Sequence, residues 1–448
     1  MLNALRPAVA RKAAPGARDH RDGLSDSGVR DTDQPHIRSS QLKVELLHDP
    51  HKKLERLIGL VDMPPRSHAV VDDWVVGMRV GITVDPLSPN LTGIGRYTWQ
   101  LCQGLAGHPG IDELTYFLMD HWHTDPRGLL TGKARRRAAL LIPRLVRRRR
   151  ARQGFKGRLM HGTNYFLPVQ AETGVITVHD LSIYLHPETH PIERIRDFEK
   201  NFERSLDRAT HVITDSEATR RDLIAHLSYP AAKVSTIHLG VSERFRPQAR
   251  ATLDRDLSRL FGRPVGDYIL SVATFEPRKR IEAAILAHAL YCDRTGKDIP
   301  LVLVGAKGWS NDRLHVLIED EQRKGRLLML GCVADADLPT IYAGARLFLY
   351  PSIYEGFGLP PIEAMACGIP TIVSDRSCLP EVTRGAAMMI DPDDIDRLSI
   401  GIEQALEDDI WRGGAIRAGL AVGAHYSWAR CIEKTVDVYR LCNDQVVV

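Results

Sequence analysis

Tyr350-Pro351-Ser352-Ile353-Tyr354-Glu355-Gly356-Phe357-Gly358-Leu359-Pro360-Pro361-Ile362-Glu363-Ala364-Met365-Ala366-Cys367-Gly368 decides how this chain is read. The apolar run before it, 347–350, predicts a strand that enters a loop with two glycines. Pro360 and Pro361 predict the start of a short helix, and Gly368 its end. A helix N-terminus offers free N–H groups to anions, and glycine lets a ligand approach the backbone closely. Glu355 falls in the loop and Glu363 is expected in the first helical turn, where carboxylates can accept from sugar hydroxyls. The stretch reads as a site for a phosphate and polyhydroxyl ligand, such as a nucleotide sugar.

Strands and helices alternate on either side of it. Strands are predicted at 268–272, 301–304, 327–330, 371–374 and 386–390, and helices at 280–291, 312–324, 337–343, 394–407, 411–424 and 428–441. Upstream, strands are predicted at 79–84, 114–119, 158–161, 175–178, 211–214 and 234–237, with helices from Thr92 to Ala106 and at 193–206 and 217–227. This alternation predicts an α/β protein with two tandem Rossmann-like parallel-sheet domains facing a cleft. The expected boundaries are 78–247 for the first domain, 248–263 for a polar linker with one helical piece, and 264–425 for the second. Residues 426–448 are expected as a closing helix and tail that return to the first domain.

Residues 1–77 are polar, rich in Arg and Asp, and lack apolar periodicity. They are expected to form a mostly disordered extension with a short helix near 44–58, either a dispensable tail or a targeting segment. Met78 then marks the start of the folded unit. At 448 residues the chain exceeds one ordinary core, and 44% hydrophobic with 26% charged residues is usual for a soluble globular protein. A net charge of +4 excludes a polycation. The seven cysteines are odd in number and never spaced C-x-x-C, so neither a disulfide framework nor a zinc site is expected. No apolar run reaches ~18 residues and the N-terminus has no h-region, so neither a membrane span nor a secretory signal is expected.

Four further motifs bear on chemistry. Thr274-Phe275-Glu276-Pro277-Arg278-Lys279-Arg280 follows the second domain's first strand, and three successive cations there suit a diphosphate better than packing, with a solvated basic turn as the plainer alternative. Thr92-Gly93-Ile94-Gly95-Arg96-Tyr97 follows the first domain's first strand, either as a glycine-rich anion turn or as a tight turn that packs helix on strand. Val178-His179-Asp180-Leu181 sets a His and an Asp at a strand's C-terminal end, where open sheets bind ligands; capping of the next turn by Asp180 is the plainer alternative. Asp391-Pro392-Asp393-Asp394 precedes a helix and is read as a cap rather than a metal motif. The arginine-rich segment 133–152 interleaves apolar residues, as either a solvated insertion or a segment drawn to anionic lipid. It lacks aromatic side chains for stacking bases, so nucleic acid is not an expected partner.

Together these motifs resemble the retaining GT-B glycosyltransferases of family 4, also called glycosyl transferases group 1. The resemblance rests on Thr-Gly-Ile-Gly-Arg-Tyr, on Glu276-Pro277-Arg278-Lys279, and on Glu355 and Glu363, which are separated by seven residues. Val304-Gly305, Pro351-Ser352, Ala366-Cys367-Gly368-Ile369-Pro370 and Leu379-Pro380-Glu381 follow the family pattern in order, so the likeness covers about 79–441. It implies that Lys279 and Arg278 hold the donor diphosphate, Glu355 the transferred sugar and Glu363 the ribose. It also implies that backbone N–H groups from Gly356, Phe357, Gly358 and Leu359 contact sugar and phosphate, that Gly93 and Gly95 approach the diphosphate across the cleft, and that His179 lies near the anomeric side. Thr274 stands among the donor-binding positions where many members carry an Arg, so Arg278 is expected to compensate.

The implied reaction retains anomeric configuration through front-side attack, with the donor phosphate taking the acceptor proton and no metal or cofactor required. The Glu-Pro-Arg-Lys form resembles mannosyltransferases of bacterial O-antigen and exopolysaccharide synthesis. That implies GDP-mannose as donor, a sugar or polyprenyl-diphosphate-linked sugar as acceptor, and a cytoplasmic enzyme that rests on the inner membrane face through 133–152. A UDP-sugar donor and a non-catalytic GT-B-like binding protein are the alternatives. A helicase-type NTPase is disfavoured, because the chain has no G-x-x-x-x-G-K-[ST] run.

Overall fold

The computed structural model describes residues 77–131, 144–308 and 312–446. The expected N-terminal extension, through residue 76, and residues 133–143 of the arginine-rich segment lie outside the described residues.

Among the described residues, the first sheet contains β1 (Met78–Thr83), β2 (Ile111–Leu118), β3 (His121–His123), β4 (Leu159–Gly162), β5 (Gly174–Val178), β6 (Ala209–Thr214) and β7 (Val234–Thr236). Their order is β3-β2-β1-β4-β5-β6-β7, parallel except for the antiparallel β2–β3 hairpin at one edge. The second sheet contains β8 (Ile269–Val272), β9 (Leu301–Val304), β10 (Leu327–Gly331), β11 (Leu347–Tyr350), β12 (Thr371–Ser374) and β13 (Met388–Ile390), in the order β10-β9-β8-β11-β12-β13. Its registered pairs are all parallel. Ile-Leu-Ser-Val, Leu-Val-Leu-Val and Leu-Phe-Leu-Tyr are near-continuous apolar runs because helices cover both faces of such a sheet.

The helices that position the site are α1 (Gly93–Leu105), α2 (Arg144–Arg152), α3 (Ile192–Leu206), α4 (Glu217–Leu227), α5 (Arg250–Phe261), α6 (Ile281–Thr295), α7 (Leu359–Ala366), α8 (Leu379–Thr383), α9 (Ile395–Glu407) and α10 (Trp428–Val446). Strand order reverses between β1 and β4 and again between β8 and β11. Crevices at such reversals, outside the strands' carboxyl ends, are where open α/β sheets hold ligands. The loops after β1, β8 and β11 carry three of the motifs that the sequence singled out.

Some local expectations shift. Gly93 and Gly95 belong to the first turn of α1, which Thr92 caps by accepting from Gly95 N at 3.4 Å. Helix α7 starts at Leu359, so Glu363 lies in its second turn rather than its first. Gly358 precedes it at φ +85, a left-handed conformation that favours glycine. The helical piece expected in the linker is α5, but it is no free tether: its Leu253 and Leu257 are buried, and Leu257 packs beside Gly344 of the second domain. Strand β3 was not expected; its turn residues Met119 and Asp120 adopt φ 48 and 66 without a glycine. Trp122 on β3 donates to Ala151 O of α2 at 3.0 Å, which ties the basic helix to the hairpin. Helix α10 packs on the first sheet, where the Tyr439 hydroxyl lies 2.7 Å from His161 Nδ1.

Candidate active site

A cavity of about 1050 Å³ lies where the two sheets' carboxyl ends face each other. Its wall includes Gly93, His179, Thr274, Lys279, Glu355 and Glu363, so the structure brings the two domains' motifs together. Gly95, one of the expected donor-binding glycines, is buried instead. A Cβ on it would meet Pro86 O at 3.0 Å and Leu91 at 3.1 Å, which is the packing alternative for that motif. A Cβ on Gly93 would meet nothing within 4 Å, so that glycine leaves open space at the cavity wall.

Lys279 and Arg278 enter from a single 3₁₀ turn, Pro277–Lys279, after β8. The Lys279 ammonium lies 2.5 Å from Glu355 Oε1 and donates to the Tyr350 hydroxyl at 3.1 Å. Arg278 donates to Glu276 at 3.0 Å, to Tyr354 O at 2.9 Å and to Glu355 Oε2 at 3.3 Å. Ile353 N and Ser352 Oγ donate to the carbonyl of Arg278, which fixes the cationic turn to the loop after β11. Glu355 is thus the counter-ion of both cations. Burial pushes its carboxyl up, and Lys279 and Arg278 outweigh that and hold it below the ordinary carboxylate range. Burial, followed by the repulsion of Arg278, lowers the Lys279 ammonium from the usual lysine value. Burial also opposes the Arg278 charge, but Glu355, Asp180 and Glu276 raise its pKa on balance.

Glu363 meets a residue whose role the sequence did not disclose. Its Oε1 accepts from Arg96 Nη1 at 2.7 Å, and Arg96 Nη2 lies 2.8 Å from Asp335 Oδ1. Arg244 also pairs with Asp335. Burial raises the Glu363 carboxyl above its ordinary value despite Arg96. Arg96 belongs to a quoted motif, but nothing in one sequence says that it reaches a glutamate 267 positions away.

His179 is buried at the end of β5 with both ring nitrogens engaged. Nδ1 lies 2.7 Å from Asp215 Oδ2, and Nε2 lies 2.9 Å from Thr163 O. Both partners are acceptors, so the ring carries Nε2–H and shares a second proton with Asp215. Burial lowers His179, but the Asp215 carboxylate and its hydrogen bond raise it overall; burial raises Asp215 in turn. The ring therefore offers the cavity an edge, and its nitrogens stay within the first domain. Asp180 accepts from Ser182 N at 3.0 Å and Ser182 Oγ at 2.8 Å, the turn-capping role open to it from the motif. The Asp391 to Asp394 run also caps: Asp394 accepts from Arg397 N at 2.8 Å at the start of α9. Among the described residues no three His, Cys, Asp or Glu side chains gather as a metal-binding group.

Paired cations at one switch point, a glycine loop beside them and an open glycine opposite can hold a diphosphate. Each buried carboxylate keeps lone pairs free for hydroxyls after its ion pair is counted.

Residues 263–419 match the family model of glycosyl transferases group 1, and residues 91–245 match that of glycosyltransferase family 4. The chain is 38% identical over 381 residues to O-antigen chain mannosyltransferase B of Escherichia coli, a match covering 81% of this chain and 100% of that protein. It is 28% identical over 237 residues to O-antigen chain mannosyltransferase RfbU of Salmonella typhimurium, covering 53% of this chain and 62% of that protein. Among solved structures, a sucrose-phosphate synthase from Thermosynechococcus elongatus aligns at TM-score 0.62 and 21% identity, over 81% of this chain and 98% of its own. WaaG, a glycosyltransferase involved in lipopolysaccharide biosynthesis, aligns at TM-score 0.59 and 13% identity, over 80% of this chain and 99% of its own.

Proposed function

The chain belongs to glycosyltransferase family 4 and has the GT-B fold, and on that premise we propose that it transfers mannose with retention from GDP-mannose to a sugar or lipid-linked oligosaccharide acceptor in O-antigen or exopolysaccharide synthesis. The observation that carries this reading is the likeness running the whole length of an O-antigen mannosyltransferase. The geometry agrees with it, because the cavity joins a diphosphate-type cation pair to two carboxylates suited to hydroxyls.

In this proposal Lys279 and Arg278 meet the charge that develops on the departing nucleotide diphosphate. Preorganised donors in a site closed to water act more strongly than they would in solvent. Glu355 keeps Lys279 aimed at the leaving group and uses its remaining lone pairs for hydroxyls of the transferred sugar. Glu363 does the same for the ribose while Arg96 holds its other side. His179 has both ring nitrogens engaged by Asp215 and Thr163 and adds no proton donor or acceptor, so the acceptor proton passes to the donor phosphate on the face that the nucleotide leaves.

Helix α2 and the adjoining arginines would set the enzyme against an anionic lipid surface, where a lipid-linked acceptor is presented. No helix among the described residues is long and apolar enough to cross a membrane.

The test compares nucleotide release from GDP-mannose, UDP-glucose and UDP-galactose, with and without EDTA, in buffer and with vesicles containing anionic phospholipid. GDP-mannose should be consumed at least about tenfold faster than either UDP-sugar, with rates unchanged by EDTA and the enzyme pelleting with the vesicles. Preferred turnover of a UDP-sugar would move the reading to the second donor class. Loss of activity in EDTA would end the metal-free mechanism.

A further inference from the structure

The Leu379-Pro380-Glu381 motif has no part in the donor chemistry described above, yet its glutamate crosses to the first domain. Glu381 sits in the short helix α8 after β12. Its Oε1 accepts from Glu217 N at 2.9 Å and its Oε2 accepts from Ala218 N at 2.9 Å. These amides belong to the first turn of α4 and have no partner within their own helix. The next amide, Thr219 N, donates to the Ser216 cap at 3.1 Å. The start of α4 is thus completed by a carboxylate from the other domain, at the helix end that favours negative charge. His238 Nε2 lies 2.8 Å from the same carboxylate. Burial pushes the Glu381 carboxyl up, but His238 and the two backbone amides hold it below the ordinary range.

Two other second-domain residues meet the same helix. Thr219 Oγ1 lies 3.4 Å from Gly356 O and 3.5 Å from His179 O, so one side chain touches both walls of the cavity. The Tyr354 hydroxyl donates to Asp222 at 2.6 Å. Residues 217, 218, 219 and 222 form a rail on which loops from β11 and β12 rest.

We infer that Glu381 is a positioning residue for the transfer reaction: by docking on the N-terminus of α4 it sets the loop of Glu355 and Gly356 against His179 and keeps the cavity closed to water. The inference rests on glycosyl transfer as the activity. Glu381 touches neither substrate nor reacting atoms; it acts through the rail.

The experiment uses the full chain and two variants, Glu381→Ala and Glu381→Gln. Its first arm is amide hydrogen exchange at Glu217 and Ala218. In Glu381→Ala these amides lose their partner and should exchange at least about tenfold faster. Glu381→Gln, which keeps an acceptor oxygen but no charge, should fall between. The second arm measures hydrolysis against transfer, using GDP-mannose with a mannose-terminated octyl glycoside. A cleft that closes incompletely admits water, so hydrolysis relative to transfer should rise about tenfold in Glu381→Ala and less in Glu381→Gln.

Unchanged exchange at the two amides would show that the contact does not form in solution and would overturn the proposal. Hydrolysis and transfer falling together at a constant ratio would leave Glu381 a structural contact only, which also overturns it. Should Glu381→Ala not fold, Glu381→Gln decides both arms. Failure of the wild type to turn over GDP-mannose would count against the donor reading; the exchange arm, which needs no donor, would still decide whether the docking occurs.

Discussion

Lys279→Ala is expected to lower the rate of mannosyl transfer by about 10³-fold, the upper part of the range seen when a preorganised charge stabiliser is removed. Lys279 is 9% exposed and holds its ammonium 2.5 Å from Glu355. Arg278 remains, but its guanidinium is already committed to Glu276, to Tyr354 O and, at 3.3 Å, to Glu355. It can take over only part of the diphosphate charge. Removing Lys279 also strands most of the Glu355 charge in a buried site, which costs about 3–5 kcal/mol when one partner of a buried pair is lost. The two effects separate in the double variant Lys279→Ala/Glu355→Gln. Thermal stability should recover toward wild type, because the stranded charge is gone, while transfer stays low. Transfer within tenfold of wild type in Lys279→Ala would remove this residue from the chemistry.

Gly356→Ala is expected to cost at least about 10²-fold in transfer, the scale of a misplacement near 1 Å at a reacting centre. A Cβ built on Gly356 would lie 1.6 Å from the carbonyl oxygen of His179 and 2.6 Å from its carbon. Both are backbone atoms and cannot swing aside as a flexible side chain would. Gly356 belongs to the second domain and His179 to the first, so relief must come from parting the two. Each sheet has its own buried strands, so circular dichroism should stay that of the wild type while small-angle scattering reports a larger radius of gyration. A wild-type radius together with wild-type transfer would show that the close approach is absent in solution.

The elements themselves were largely legible in the sequence. Buried parallel strands read as short apolar runs, and helix α7 was bracketed by Pro360 and Pro361 at its start and Gly368 after its end. The cationic turn and the glycine loop could be found because each is local in sequence. Strand β3 escaped because three residues are too few for a period, and its turn uses Met119 and Asp120 where glycine or asparagine would have signalled it. The ion pairs were not legible for a different reason. Lys279 and Glu355 could each be named, yet their pairing depends on β8 and β11 lying side by side. Arg96 with Glu363, and Glu381 with the start of α4, depend further on how two domains face each other, which no periodicity encodes. His179 shows the same limit: its position at a strand end was foreseen, but the capture of both ring nitrogens by Asp215 and Thr163 was not.

In the proposed reaction, mannose passes from GDP-mannose with retention in the cavity built by Lys279, Arg278, Glu355 and Glu363. Proton NMR of the product, formed from the α anomer of GDP-mannose with a mannose-terminated octyl glycoside, tests it most directly. An α-linked mannoside as the first product is the predicted result. A β-linked product, or no consumption of GDP-mannose while a UDP-sugar is turned over, would contradict it.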